Sequence, residues 1–496
     1  MRTQTVRCPE FPAGLTWLNT PRPLTVAGDL RGRVSVLDFW TYCCINCMHV
    51  LPVLKRIEAR FASQPVAVIG VHSAKFISER DPLNIRRAME RYGVAHPVVV
   101  DPDHDIWQRF SVKAWPTLVL VDAEGYVRET LPGEADEASL ATRIEKLVKE
   151  ARDKGVLAVA PISTTPARAA ESSESSELGA HASLLRFPGR LHAHGDRLFV
   201  SDSGHNRIVI TDLHGGVQDV VGRGDEGAQD GEASQATFRN PQGLAVVGGS
   251  LYVADTGNHL LRAVDLETLQ VATVAGTASL GGEPGSHDPR EPLSVPLRSP
   301  WGLLPMGTHL LVAMAGSHQI WVYDPDKRVM APWAGSGEEE HIDAPLREAA
   351  FAQPSGLAVA GRYLLVADSE VSSVRAIDLE DGAVRTIVGR GLFDFGDAEG
   401  APDEVLLQHP LDVAADTNVL YVADTYNNKV KAISFGTMQT RTIFGDGDPA
   451  TMHEPGGLAV VEGVVLIADT NNHRILKGDP ETGRLSEFTI TQGSPS

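Results

Sequence analysis

Residues 34–54 read VSVLDFWTYCCINCMHVLPVL. The first six, VSVLDF, are a short valine-rich run with the character of a buried strand. A helical pattern runs from Ile45 to Phe61, and Pro52 is expected to break it. Between the two stand Cys43, Cys44 and Cys47, three of the four cysteines in the chain. A disulfide staple, a metal site and a redox centre each crowd thiols in this way. The surroundings decide between them.

Outward from this stretch the chain alternates strand and helix. VAVIGV (66–71) is a second buried strand, and 79–92 predicts a helix with Ser78 as N-cap. HPVVVD (96–101) and TLVLVD (117–122) are further strands, and 135–152 is a charged amphipathic closing helix. This order predicts an α/β domain over 1–154 whose sheet has parallel members. Residues 155–184 are rich in Ser, Ala, Glu and Pro, a composition that buries little apolar surface and reads as a flexible linker.

From Phe187 the sequence repeats. NPQGLAVVGGSLYVADTGNHLLRAVDL (240–266), QPSGLAVAGRYLLVADSEVSSVRAIDL (353–379), HPLDVAADTNVLYVADTYNNKVKAI (409–433) and EPGGLAVVEGVVLIADTNNHRIL (454–476) are clear copies. Segments 187–213 and 299–324 are weaker ones. The anchors Asp202, Asp255, Met314, Asp368, Asp424 and Asp469 recur roughly every 55 residues. Each copy holds about four short strands parted by turn residues, which predicts a six-bladed β-propeller over 185–490 with a tail at 491–496. The anchor carboxylates fit turns that accept local N–H groups. A metal ring would lose a ligand at Met314. His259, His318 and His473 each follow an anchor by four positions, as rim turn residues or as a shared ligand set.

A chain of 496 residues, 42% hydrophobic and 22% charged, is long enough for two or three globular domains. It has no apolar run approaching the roughly 18 residues of a membrane span. Its N-terminus lacks the apolar core of a secretory signal, so a cytoplasmic protein without membrane association is expected. The net charge of −20 falls almost wholly after residue 150, and an acidic surface argues against nucleic acid.

Cys44-Ile45-Asn46-Cys47 is a Cys-x-x-Cys pair where a strand passes into a helix. The first sulfur meets the free N–H groups and positive dipole of the helix start, and the second lies one turn inside, within reach of a disulfide. Such a pair in an α/β setting points to redox chemistry. Zinc would need Cys43, Cys44, Cys47 and His49, and adjacent cysteines rarely reach one ion together. A c-type haem needs His where Met48 stands. Thr41, three before Cys44, suits a thiol peroxidase, but the proline expected earlier is Leu37. Cys43 fits either a second resolving thiol or a small buried residue, and Cys8 a bystander.

The 34–54 segment, with AWPTLVLVDAEG (114–125), resembles the thioredoxin active site. EFPAGLTWLNT, DFWTYCCINCMHVLP, VHSAKF, HPVVVD and WPTLVL, followed by a six-copy array whose motif is Pro-x-Gly-Leu and then Val-Ala-Asp-Thr-x-Asn, resemble the thioredoxin-like, NHL-repeat-containing protein 2 family. The resemblance implies Cys44 as nucleophile, Cys47 as resolving thiol and Asp38 as the buried carboxylate that moves the resolving proton. It implies Pro116 as the cis-proline beside the cysteines and Trp115 as the backbone edge offered to a substrate. The expected activity is thiol–disulfide exchange on a protein client, with no cofactor beyond a reversible Cys44–Cys47 disulfide. The propeller is expected to dock a protein partner, and the chain to be a monomer. A non-catalytic scaffold or redox sensor, and an enzyme in the propeller channel, are the competing readings.

Overall fold

Strand β3 (Val34–Trp40) is buried along its whole length, so it can only be the centre of a sheet covered on both faces. A computed structural model describes residues 6–158, 162, 183–282 and 287–492. The chain divides into two compact units, Met1–His181 and Ala182–Ser496. Most of the 155–184 segment and of the 491–496 tail lies outside the described residues.

In the first unit β3 is followed by α1 (Ile45–Phe61), β4 (Val66–His72), α2 (Pro82–Tyr92), β5 (Val98–Val100), α3 (Asp105–Arg109), β6 (Thr117–Val121), β7 (Tyr126–Pro132) and α4 (Glu137–Asp153). Two short strands, β1 (Val6–Arg7) and β2 (Trp17–Leu18), complete a seven-stranded sheet of order β1-β7-β6-β3-β4-β5-β2. β3, β4 and β5 run parallel; β6 and β7 turn the other half antiparallel. The β6–β7 hairpin closes through Gly125 at φ 78°, a turn too short for the crossover that a parallel neighbour needs. Leu37 and Phe39 face a core with Ile69, Val71, Val99 and Val119. Val34 and Val36 face α1 and α4 through Leu54, Ile57, Ile144 and Leu147.

Two helix expectations need correction. Pro52 does not break α1, which runs through it. The proline removes one backbone donor, while Val50, Val53, Leu54, Ile57 and Phe61 keep the helix seated. α2 begins at Pro82, capped by the Asp81 carboxylate that accepts from Leu83 N–H, and Ser78 belongs to a separate turn, Ser78–Arg80. Pro at the first helical position suits this start.

The second unit is a six-bladed propeller. Its four-stranded antiparallel sheets span 188–221, 244–275, 300–334, 354–388, 412–444 and 455–487. The anchor aspartates are structural; Asp255, Asp424 and Asp469 take a local turn bond, from Asn258, Asn427 and Asn472 Nδ2–H, but the backbone donors to the anchors are not the local ones expected. Each anchor accepts the N–H of a residue sixteen positions earlier: Arg186, Arg239, Ala352, Gln408 and His453, at 2.6–2.8 Å. The carboxylate also meets a cation, namely Arg207, Arg262, Arg375, Lys431 or Arg474. Met314 has no such role and packs in an apolar cluster with Leu310, Val312 and Trp321.

The residue four after each anchor is left-handed: Asn206, His259, His318, Ser372, Asn428 and His473. Its side chain accepts the N–H of the residue before the proline of another blade, at 2.9–3.2 Å. The three histidines therefore spend Nδ1 on separate blades and do not form a shared ligand set. The last of these bonds, Phe187 N–H to His473 Nδ1, closes the ring, helped by Thr470 Oγ1–H to the Pro188 carbonyl. Around the axis a cavity of about 300 Å³ is lined by Leu191, Leu244, Leu303, Leu357, Val413 and Leu458. Beside it the residue two after each repeat's proline is glycine in four blades, Arg190 in the first and Asp412 in the fifth, and these two form a buried ion pair.

Arg375 has no exposed side-chain surface, bonds Asp368 and Asp343, and lies over the Phe351 ring. Arg375→Met leaves the Asp368 carboxylate buried without its cation, and such a break costs roughly 3–5 kcal/mol. The propeller transition in calorimetry is expected to fall accordingly, with partial recovery on adding Asp368→Asn. An unchanged transition overturns this account of the blade interior.

Candidate redox site

The pair sits where the sheet hands over to α1. Cys44 is the N-cap, with extended φ −77° and ψ 115°, and its sulfur accepts the Cys47 N–H at 3.3 Å. A helix start leaves its first N–H groups unpaired, and here one of them meets the sulfur. Cys44 is 7% exposed and Cys47 1% exposed. Burial pushes the Cys47 thiol well up; its hydrogen bond to Cys44, the Cys44 charge and the Asp38 charge act in the same direction. All four cysteines are free thiols. Cys8 lies in a different cluster, with burial and then Glu10 pushing its thiol up to about 12.

Asp38 projects from β3, its register partners being Gly70 of β4 and Leu118 of β6. It is 1% exposed and neither carboxylate oxygen has a hydrogen-bond partner among the described residues. Burial raises its pKa from 3.8 to about 7, against the opposing influence of His96. Trp115–Pro116 is a cis peptide bond. Pro116 is buried, while the half-buried Trp115 donates Nε1–H to the Ser73 carbonyl at 3.0 Å and rests on Trp107, ring centres 4.5 Å apart.

Cys43 is 2% exposed and its sulfur faces Thr41 Oγ1 at 3.8 Å. Its N–H donates to Glu79 Oε1 at 2.9 Å, and Glu79 Oε2 accepts from Lys75 and Phe76 N–H, each at 3.0 Å. Glu79 is fully buried and ties the active-site turn to the segment after β4. On sequence it is the first residue of the helix expected over 79–92. A buried acid that satisfies backbone donors has no periodic signature, so only the fold reveals it. His72 was also missed. It is fully buried between Trp40 and Tyr42, and burial lowers its pKa to about 3, so the ring is neutral. His49 faces Glu134 at 2.5 Å. Among the described residues no group of His, Cys, Asp or Glu comes together as a metal site.

A thioredoxin-like family model matches residues 32–127, and an NHL repeat model matches 238–263 and 452–477. NHL repeat-containing protein 2 of Homo sapiens is 39% identical over 535 residues, covering 98% of this chain and 72% of that protein. Protein SUPPRESSOR OF QUENCHING 1, chloroplastic, of Arabidopsis thaliana is 40% identical over 507 residues, covering 97% of this chain and 47% of that protein. Thiol-disulfide oxidoreductase ResA of Geobacillus thermodenitrificans is 24% identical over 119 residues, covering 24% of this chain and 66% of that protein. No helix among the described residues is long and apolar enough to cross a membrane.

The raised Asp38 pKa makes a signed claim about stability. An acid that ionises at 3.8 when unfolded and at about 7 when folded costs nothing below pH 4, and its penalty grows to a plateau above pH 7. That rise corresponds to roughly 4 kcal/mol. Asp38→Asn is therefore expected to raise the melting temperature of the first unit by several degrees at pH 8 and to leave it unchanged near pH 4. Equal melting of the two proteins at pH 8 overturns the assignment of a sealed carboxylate.

Proposed function

The chain belongs to the NHL repeat-containing protein 2 family, and from that premise we propose that it is a thiol–disulfide oxidoreductase whose propeller docks a protein partner. One observation carries the reading: Cys44 at the helix start, hydrogen-bonded to a buried Cys47 that feels the Asp38 carboxylate. The Cys44 thiolate attacks one sulfur of a client disulfide, forming a mixed disulfide and releasing the other client sulfur as a thiolate, which takes up a proton. Cys47 gives its proton to Asp38 and attacks the Cys44 sulfur. The second client thiolate leaves, and Cys44–Cys47 becomes the disulfide. Two electrons pass to the client, and an external dithiol must restore the pair. Pro116 and Trp115 position the client chain, and no other cofactor is needed.

The chain acts as a monomer on a client protein, and a reducing compartment such as the cytoplasm suits the chemistry. Six blades offer a broad surface for a protein partner, a common use of this fold. A propeller-channel enzyme draws little support from an axial cavity ringed by leucines and a closed Arg190–Asp412 pair. The scaffold reading is favoured by one observation, the small exposure of Cys44.

Cys47→Ser blocks resolution. Incubated with insulin, whose disulfides are a general probe, it is expected to accumulate a mixed disulfide at Cys44, seen by mass spectrometry, while Cys44→Ser captures none. No adduct at Cys44 overturns the catalytic reading. Full rescue of a deletion strain by the Cys44→Ser, Cys47→Ser double variant favours the scaffold.

A further inference from the structure

Cys43, Cys44 and Cys47 share five positions, yet only two thiols can close one disulfide. The structure sorts them with a side chain from outside the turn. Glu79 has no exposed surface, and an acid is almost never so buried unless it is paired. Its two oxygens have different partners. Oε2 accepts from Lys75 and Phe76 N–H, each at 3.0 Å, and so folds the segment after β4 back on itself. Oε1 accepts from Cys43 N–H at 2.9 Å, across 36 positions of sequence. That segment is itself fixed at both ends. Ser73 N–H donates to the Trp40 carbonyl at 3.0 Å, and Ser73 Oγ–H to the Asp101 carboxylate at 3.0 Å. Asn84 Nδ2–H of α2 donates to the Ser78 carbonyl and hydroxyl, each at 3.0 Å. Glu79 therefore holds Cys43 from a firm base. The Cys43 sulfur is sealed there, facing Thr41 Oγ1 at 3.8 Å. Cys44 differs: its backbone is extended at the N-cap, and its sulfur meets Cys47 N–H. α1 begins at Ile45. Begun two residues sooner, it would put Cys43 and Cys47, four apart, on one helix face.

We propose that Glu79 is the positioning residue that selects the reacting pair: by holding the Cys43 backbone it locks that thiol against Thr41, and Cys44 and Cys47 are left as the two that oxidise. A carboxylate suits this task. Hydrogen bonds to an ionised acceptor are about twice as strong as neutral ones, and two oxygens can accept on two sides at once. Glutamine has one oxygen, and its amide would set N–H against N–H. With the clamp lost, Cys43 is free to reach solvent and to compete for Cys47. The reaction it governs balances with oxidised glutathione as the oxidant. One protein thiolate attacks a glutathione sulfur and expels the other glutathione as a thiolate. The second protein thiol then displaces the bound glutathione and closes the disulfide. Two electrons and two protons pass from the protein to two glutathione molecules, and Glu79 takes none of them. Which pair oxidises rests on the redox reading, whereas the locking of Cys43 does not.

The test labels the reduced full chain with iodoacetamide and follows each cysteine by mass spectrometry. Alkylation forms a sulfur–carbon bond and releases iodide. In Glu79→Gln, Cys43 is expected to label about tenfold faster than in the parent, the change in local opening that loss of one hydrogen bond to a charged group allows. Cys47, inside α1, and Cys8, in a separate cluster, are expected to keep their rates. Glu79→Asp keeps the charge on a side chain one carbon shorter and is expected to unmask Cys43 by a smaller factor; it serves where Glu79→Gln does not fold. After oxidised glutathione the parent is expected to show the Cys44–Cys47 disulfide alone. The Glu79 variants are expected to add Cys43–Cys47 or a Cys43–glutathione adduct, and Cys43→Ala within Glu79→Gln to restore the single product. An unchanged Cys43 rate in both variants overturns the lock. So does an equal rise at Cys8 and Cys47, which reports general loosening of the unit. An unmasked Cys43 that enters no disulfide overturns the selection of the pair. A Cys43 rate that rises while the parent forms no Cys44–Cys47 disulfide leaves the lock standing and removes the redox function.

Discussion

A carboxylate with nowhere to go governs the first unit. Asp38 lies on the face of β3 that α1 and α4 cover, among valines and leucines, and neither oxygen is paired among the described residues. Burying such a group is costly unless it stays neutral, and its pKa of about 7 is the molecule's answer. Burial likewise pushes the Cys47 thiol up, and the Asp38 charge acts in the same direction. The strand that supplies Asp38 also fixes where α1 begins and so where the Cys44 sulfur meets its first free N–H.

The second unit relies on a different device, polar groups paired across the fold. Each anchor carboxylate reaches back sixteen residues, and each left-handed residue four positions later reaches to another blade. One short motif therefore binds its own blade and the next. In the second, fourth and fifth blades, fully buried Arg262, Arg375 and Lys431 each sit between two carboxylates. Such pairs fix geometry more than they add net stability.

Period and repetition made the architecture legible. The buried strands, the six copies and the Cys-x-x-Cys junction are patterns in composition and spacing, and the fold follows them. Pro52 misled because a helix clamped by five buried apolar side chains tolerates one lost donor. β7 and α3 escaped notice, one as a half-exposed strand without a clear apolar alternation and the other as a helix of five residues. At the site, the Cys44–Cys47 pair stands out by its spacing at a strand–helix junction, whereas Asp38, Trp115 and Pro116 stand out only through the resemblance of their segments to the thioredoxin site. Glu79, His72 and His96 do not stand out, since each acquires its neighbours only when distant segments meet. The anchor aspartates are structural as expected, with local partners such as Asn258 and Arg262 for Asp255, but the backbone N–H each accepts lies sixteen positions earlier, beyond what local spacing reports.

The seam at His473 has a consequence for how the chain is made. Phe187 near the start of the propeller and His473 near its end are joined by a hydrogen bond across 286 positions of sequence. Blades emerging from a ribosome can each pair their own four strands, but the circle stays open until the sixth has left the tunnel. Throughout that interval the first and latest blades expose flanks meant for each other. The cysteine-bearing unit faces no such wait, because α4, which closes over its sheet, ends at Asp153. Its thiols can be seated while two-thirds of the polypeptide is still being synthesised.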